Sequence, residues 1–170
     1  MQHDNVLSAD NQQGRLLHQI SPWYVTGFVD GEGSFHIALY KDSRMKTGWK
    51  VIPEFHVSQR VSSKHVLDAL ASLFECGYVK ANHKTNPYDV TYVYVVRDRD
   101  DLITKIIPFF EKHPLQTEKA QDFRIFTDIV RRISHGRHRE EQGMKQIIAL
   151  AYTMNGGGRY RRKTQEQLMQ

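Results

Sequence analysis

The chain has 170 residues, 39% of them hydrophobic, and its 24 lysines and arginines outnumber 19 aspartates and glutamates, giving a formal net charge of +5. This length and apolar content suit one globular domain, and no stretch is long and apolar enough to predict a transmembrane helix. Cys76 is the only cysteine, which excludes an internal disulfide framework. The basic excess is compatible with a polyanionic partner, although charge alone does not identify one.

The two ends of the chain differ in composition from its middle. Residues 1–20 are polar, without the apolar core of a secretion signal, and their single arginine is unlike a transit peptide, so they are expected to form a flexible N-terminal extension. Residues 156–170 open with three glycines and continue with basic side chains, which predicts a basic C-terminal tail. One domain is therefore expected over residues 21–155.

The first predicted helix is short and carries glycines on one face. Ser21 suits an N-cap and Pro22 the first helical position, while Gly31 and Gly33 supply a stop signal. Gly27 and Gly31 are four residues apart and so lie on the same face, where the absence of side chains lets a second backbone approach closely. A neighbouring helix is expected to pack there.

Two acidic residues, Asp30 and Glu32, lie at the C-terminal end of this helix. The helix dipole is negative at that end, which disfavours acidic side chains unless a positive charge compensates them. A bound divalent cation is the simplest compensation. The segment therefore suggests a helix interface that also forms a metal site.

Strand-like alternation follows the first helix. In residues 34–40 every second side chain is apolar, so that Phe35, Ile37 and Leu39 share one face, which we assign to the core. A second extended run covers Trp49–Arg60. The two runs are expected to pair as an antiparallel hairpin.

The remaining pattern is helix, two strands and further helices. A helix capped by Ser62 or Ser63 is expected to run through Phe74, before strands at Tyr78–Lys84 and Val90–Arg97. Helical spacing of apolar residues then resumes, with a break at Pro114; it predicts helices at about residues 102–110, 123–130 and 140–154. The resulting order is α-β-β-α-β-β-α, which places the chain in the α+β class.

Residues 25–33, Val-Thr-Gly-Phe-Val-Asp-Gly-Glu-Gly, resemble the signature of the LAGLIDADG homing endonucleases. The family's core also has the order αββαββα, with an antiparallel sheet that forms a DNA-binding saddle and with helices at its C-terminal end. Because this sequence has one copy of the motif, it is similar to the single-motif members, which act as homodimers. The resemblance implies a dimer interface at Gly27 and Gly31, and a pseudo-palindromic double-stranded DNA target.

The resemblance also implies a catalytic centre that hydrolyses phosphodiester bonds with Mg²⁺. Glu32 and the carbonyl of Gly31 would bind the metal, with glutamate standing where the family more often has aspartate. Phe55–Arg60 resembles the family segment whose glutamine orders water, here Gln59. The segment from Lys112 to Phe123 resembles the one with a basic residue near the scissile phosphate, for which Lys119 is our choice.

The identity of the basic residue stays open at this point, with Lys112, Lys64 and Arg60 as alternatives to Lys119. DNA recognition is expected on the polar face of the sheet. This face would present Ser34, His36, Tyr40, Lys50, Glu54, His56, Arg60, Tyr78, Lys80 and Asn82. For the last strand, either Thr91 and Val93 or Tyr92 and Tyr94 could join that face.

Two other functions are compatible with the same scaffold: an RNA-binding intron maturase and a DNA-binding regulator that does not cut. The family's metal carboxylate is represented by Glu32, which favours cleavage. Family members are commonly encoded in introns of chloroplasts, mitochondria or bacteria. The resemblance therefore implies an organelle or the bacterial cytoplasm as the location.

Overall fold

A four-stranded antiparallel sheet forms the centre of the fold in a computed structural model that describes residues 20–82 and 90–157. Before and within the sheet, the elements are α1 (Pro22–Glu32), β1 (Gly33–Lys41), β2 (Trp49–Arg60), α2 (Lys64–Phe74), β3 (Tyr78–Ala81) and β4 (Thr91–Val96). The chain continues through α3 (99–112), α4 (Lys119–Ser134) and α5 (Glu141–Gly157). Within the described residues, no helix is long and apolar enough to cross a membrane.

The predicted α-β-β-α-β-β-α order is confirmed, and the strands are arranged β1-β2-β4-β3. The predicted hairpin of β1 and β2 is present, with Gly33 opposite Val57 and Lys41 opposite Trp49. The third strand ends at Ala81, before the predicted Asn82, and residues 83–84 of the predicted strand lie outside the described residues. Most of the expected N-terminal extension and C-terminal tail also lies outside them.

The helices cover one face of the sheet because the strands alternate in polarity. Phe35 and Ile37 of β1 are fully buried, as predicted, and they join Phe55 of β2 in a core shared with α3 and α4. The phase of β4, which the sequence left open, is settled by Tyr94, which is fully buried on this side and donates a hydrogen bond from its hydroxyl to the Cys76 carbonyl at 2.8 Å. The opposite face of the sheet therefore carries Thr91 and Val93.

Two helices differ from a regular pattern. In α3, residues Leu102–Ile106 are π-helical, and Pro108 lies two residues after this segment; a proline cannot donate the hydrogen bond that residue 104 would accept in an α-helix. In α5, helical dihedrals stop at Met154, which is the predicted end of this helix. Asn155 follows, and its backbone and side-chain amide nitrogens donate to the Asp122 carboxylate at 3.0 Å and to the Phe35 carbonyl at 3.1 Å.

Candidate active site and nucleic-acid interface

The helix α1 has one buried side and one open side. Val25, Thr26 and Val29 face the core and are at most 3% exposed. On the other side, a Cβ atom added at Gly27 or Gly31 would meet no atom within 4 Å. None of the residues that the structure describes therefore covers the glycine face, which leaves room for the close helix approach expected from the sequence.

The open side also exposes aromatic surface. Trp23 is 62% exposed and Tyr24 is 50% exposed, and the Tyr24 ring stacks on Phe28 at a centroid distance of 5.9 Å. Large apolar side chains rimming a smooth glycine surface are typical of an interaction site.

Gly33 joins α1 to β1 and has the opposite environment from Gly27 and Gly31. A Cβ atom at this position would lie 2.6 Å from Val29 Cγ1 and 2.8 Å from the Val29 carbonyl oxygen. The chain can pass directly from helix to strand only because residue 33 has no side chain. This close passage fixes the end of α1 against the edge of the sheet.

The acidic pair at the end of α1 divides between two roles. The carboxylate of Asp30 accepts hydrogen bonds from the Gln116 amide at 2.7 Å and from the Thr117 hydroxyl at 2.8 Å. These donors belong to the segment that leads into α4, so Asp30 anchors that segment to the motif helix. Glu32, by contrast, is exposed.

Lys119 lies beside the same helix end. Its Nζ donates to the Val29 carbonyl at 2.9 Å and to the Gly31 carbonyl at 3.5 Å. Burial lowers the pKa of Lys119 below its ordinary value, and the nearby carboxylates of Asp30, Glu32 and Asp122 oppose this effect. The ammonium group supplies at this site the positive charge that the C-terminal end of a helix favours.

The other three basic candidates occupy different positions. Lys64 Nζ binds the Asp68 carboxylate at 2.6 Å and lies 5.6 Å from the centre of the Tyr92 ring. Arg60 is exposed at the end of β2, and Lys112 is exposed in the last turn of α3. The structure thus brings Lys119 to the carbonyls of the motif, whereas Lys64 is held by a neighbouring turn of its own helix.

Gln59 lies on the helix-covered side of the sheet, and in the register of β2 and β4 it is opposite Tyr92. It is two residues beyond Val57, which is opposite Gly33, so it lies at the end of the sheet where α1 meets β1. Two residues of strand span about 7 Å. Gln59 and Glu32 are therefore at the same end of the molecule.

Within residues 20–82 and 90–157, no cluster of three or more His, Cys, Asp or Glu side chains could hold a metal ion. A cation at Glu32 would therefore take its other ligands from oxygen atoms of a different kind, such as the Gly31 carbonyl, water and phosphate. This donor set suits Mg²⁺, which commonly binds through one or two carboxylates together with water and substrate phosphate.

The uncovered face of the sheet brings together the residues predicted to bind DNA. The strand register places them in one layer with Thr91 and Val93. Its exposed members are Tyr40, Lys50, Arg60, Tyr78, Lys80 and Asn82, and its half-buried members are Ser34, His36 and His56. Donors, acceptors and cations alternate across this layer, which is the composition that readout of base edges and phosphates requires.

Glu54 was expected to be an available member of this face but is only 5% exposed. Its carboxylate forms an ion pair with Arg97 Nε, and its second oxygen lies 3.0 Å from His56 Nε2. Burial alone would raise the pKa of Glu54, but the neighbouring side chains of His56, Arg97 and His36 outweigh burial and lower the pKa. The carboxylate is thereby held in its charged form.

Like Ser58, Arg97 is a residue of this face that sequence reasoning missed. It directly follows β4 and continues the phase of Thr91 and Val93, so the alternation of that strand contains the signal. The sequence left the phase of β4 open, and this hid the position of Arg97.

A comparison with family models matches residues 25–130 to "LAGLIDADG endonuclease". Among curated relatives, a probable intron-encoded endonuclease 2 of Neurospora crassa is 33% identical over 81% of this chain and 30% of its own length. DNA endonuclease I-CeuI of Chlamydomonas moewusii is 29% identical over 75% of this chain and 57% of its own length. The chain thus spans about a third to somewhat over half of these two relatives.

Solved structures of homing endonucleases have a similar fold. The homing endonuclease I-TnaI superposes with a TM-score of 0.77 and 39% identity, covering 88% of this chain and 94% of its own. I-SmaMI bound to an uncleaved DNA target in the presence of calcium ions has a TM-score of 0.77 and 31% identity, covering 82% of this chain and 46% of its own.

Proposed function

The chain belongs to the LAGLIDADG endonuclease family, and we propose that it is a site-specific DNA endonuclease that makes double-strand breaks by Mg²⁺-dependent hydrolysis. The observation that carries the proposal is the end of α1. There the Lys119 ammonium lies 3.5 Å from the Gly31 carbonyl and close to the exposed Glu32, next to a helix face that none of the described residues covers. The names of the relatives and the fold similarity support the same activity.

Each group in this arrangement has a chemical role. Glu32 and the Gly31 carbonyl would hold the divalent cation, which, when bound, stabilises charge developing on the scissile phosphate and lowers the pKa of water. Glutamate has one methylene more than aspartate, so its carboxylate reaches farther from the helix end. The ammonium of Lys119 adds a fixed positive charge, and the amide of Gln59 would orient the attacking water.

The partner of the glycine face is, in this proposal, the same face of a second copy of the chain. A two-fold interface is self-complementary, and Gly27 with Gly31 forms a flat patch that can meet its own symmetry mate. The dimer would place two Glu32 carboxylates near its axis, one for each DNA strand. Its symmetry predicts a target with two related half-sites, each bound by one sheet face.

The relatives named as intron-encoded endonucleases further support a gene that lies within an intron, in an organelle or a bacterium, and a role in intron homing.

The test of the proposed activity exposes the purified protein to a complex DNA library with Mg²⁺, beside a Ca²⁺ reaction and the variant Glu32→Gln, and sequences the broken ends. Glu32 is exposed, so its substitution leaves the fold intact.

We expect breaks at one family of sites with Mg²⁺, reduced about 100- to 1,000-fold by Glu32→Gln, since this is the usual effect of removing one group that stabilises the transition state. Equal cutting by Glu32→Gln would overturn the metal assignment. Specific binding of DNA without cutting would identify a regulator, and selective binding of intron RNA without cutting would identify a maturase.

A further inference from the structure

The centre of the open sheet face contains a buried carboxylate. Glu54 is opposite His36 of β1 in the strand register, and the continuation of the β2–β4 register places Arg97 opposite it on the other side. His56 is the next residue of β2 on this face. Glu54 is therefore flanked by three basic side chains.

A carboxylate on a DNA-binding face needs an explanation, because it repels phosphate and because a buried charge is costly unless it is paired. Here both carboxylate oxygens have basic neighbours, Arg97 Nε at one and His56 Nε2 at the other. The Arg97 side chain nevertheless remains 42% exposed. A guanidinium has five donors in a planar fork, so an arginine held at Nε by one carboxylate oxygen keeps donors for a second partner.

We propose that Arg97, held in place by Glu54, contacts a guanine in the major groove and thereby specifies one base pair in each half-site. This inference rests on the proposed function, because it requires the sheet face to lie against DNA. An arginine fork matches the O6 and N7 acceptors of guanine with two parallel hydrogen bonds. Glu54 is a positioning residue: it fixes the orientation of the fork before DNA arrives.

The register also gives the place of this contact within the half-site. Arg60 lies at the end of β2 near Gly33 and Glu32, and Glu54 is six residues farther from that end. A strand rises about 3.3 Å per residue and DNA about 3.4 Å per base pair, so the Arg97 contact lies about six base pairs farther from the cut than the Arg60 contact.

The test measures base preference at every position, by selecting bound and cut sequences from a library in which the target is randomised. Four variants are compared with the unmodified protein: Arg97→Ala, Arg97→Lys, Glu54→Gln and the double variant Arg97→Ala with Glu54→Gln. The control is Arg131→Ala. Arg131 forms an exposed ion pair with Glu111 at 2.7 Å in the helical layer, on the other side of the sheet. Thermal melting confirms that each variant is folded.

We expect Arg97→Ala to lower the preference for guanine at one position of each half-site about 5- to 150-fold, and to leave the other positions unchanged. Arg97→Lys keeps the charge but lacks the fork, so it should lose the preference while binding DNA nearly as tightly. Glu54→Gln should weaken the same preference without lowering the total affinity for DNA. The double variant should bind more tightly than Arg97→Ala, because it no longer presents an unpaired carboxylate to phosphate.

An unchanged base profile in Arg97→Ala, or a uniform loss of affinity at all positions, would overturn the inference while leaving the proposed function intact. Replacement of the selected guanine by 7-deazaguanine, which lacks the N7 acceptor, should reduce binding by the unmodified protein and not by Arg97→Ala. A protein that neither binds nor cuts any DNA would refute the proposed function first and this inference with it.

Discussion

The two sides of α1 carry glycines in very different surroundings. On the open side, Gly27 and Gly31 have space in front of them, so their value lies in what they allow to approach. On the inner side, Gly33 has no space at all, because the Val29 backbone and side chain fill the position of its missing Cβ. The comparison shows that glycine is needed for different reasons within one short motif: the outer glycines leave an open surface, where we propose that a second copy packs, and the inner glycine lets the chain pass closely from helix to strand.

The largest effect is expected from Gly27→Leu, which tests whether the open glycine face is the dimer contact. In a two-fold dimer both copies introduce a leucine at the contact, which should weaken association by about 2–6 kcal/mol at the usual cost of overpacking. The protomer itself should become slightly more stable, since leucine favours a helix interior over glycine by about 0.5–1 kcal/mol. Sedimentation should show a monomer and cleavage should be lost with it.

Gln142→Leu provides the control, because residue 142 is an exposed position of α5 and gains the same side chain elsewhere. A stable Gly27→Leu dimer would show that the glycine face is not the interface.

A second substitution tests Lys119, which lies at the C-terminal end of α1. Lys119→Met keeps most of the side-chain length but removes the charge at the Val29 and Gly31 carbonyls. We expect cleavage to fall about 10- to 100-fold with DNA binding retained, because a fixed charge at the reacting phosphate acts mainly in the transition state. The matched variant is Lys112→Met, an exposed lysine of α3, which should cut normally. Normal cleavage by Lys119→Met together with reduced cleavage by Lys112→Met would assign the catalytic role to Lys112 instead.

The inner side is tested by Gly33→Ala. The added Cβ would lie 2.6 Å from Val29 Cγ1, so the passage from helix to strand must shift. We expect the free energy of unfolding to fall by about 1–3 kcal/mol, measured by urea denaturation. Gly31→Ala adds the same methyl group to open space two residues earlier. It should not lower the stability of the protomer and should raise it by up to about 1 kcal/mol, because alanine favours a helix over glycine. Equal changes in the free energy of unfolding for the two variants would show that Gly33 is not more tightly packed than Gly31.

The smallest effect concerns the open sheet face and pH. The pKa of Glu54 is lowered in the folded chain, so its ionised form contributes stability above the ordinary pKa of 4.5, and this stability is lost as the pH falls through the lowered value. Glu54→Gln should therefore lose less stability than the unmodified protein on acidification from about pH 5 to about pH 3, by under about 1 kcal/mol. Urea midpoints across this range would show it, with Glu111→Gln as an exposed control; parallel curves would mean that Glu54 is not held ionised by its neighbours.

Sequence alone predicted the architecture because most elements have a single reading. In β1 the apolar positions Phe35 and Ile37 alternate with polar ones, so its buried face could be assigned, and the structure confirms it. In β4, valine and tyrosine occupy both phases, and only pairing with β2 and β3 decides that Tyr94 faces the core. Alternation identifies a face only when the two faces differ in polarity.

The parts of the site that sequence could not supply are contacts between distant segments. Nothing near Asp30 in the chain indicates that its carboxylate anchors the residues before α4, and nothing near Glu54 indicates that Arg97 covers it. Such pairs depend on strand register and on how a helix docks, which one sequence does not reveal. As charged residues, Asp30 and Glu54 were expected to be exposed and free to act. In the structure, hydrogen bonds or an ion pair with other parts of the chain hold each of these carboxylates in place.

The bonds that secure the end of α1 also constrain the order in which the site can form during synthesis. Asp30 to Gln116 and Thr117, and Lys119 to Val29, join partners that are 86 to 90 residues apart in the chain. Contacts of such separation close large loops and form late in folding. A nascent chain that has already built the β1–β2 hairpin still lacks the proposed catalytic site, which is completed only after residue 119 has left the ribosome and α4 has docked.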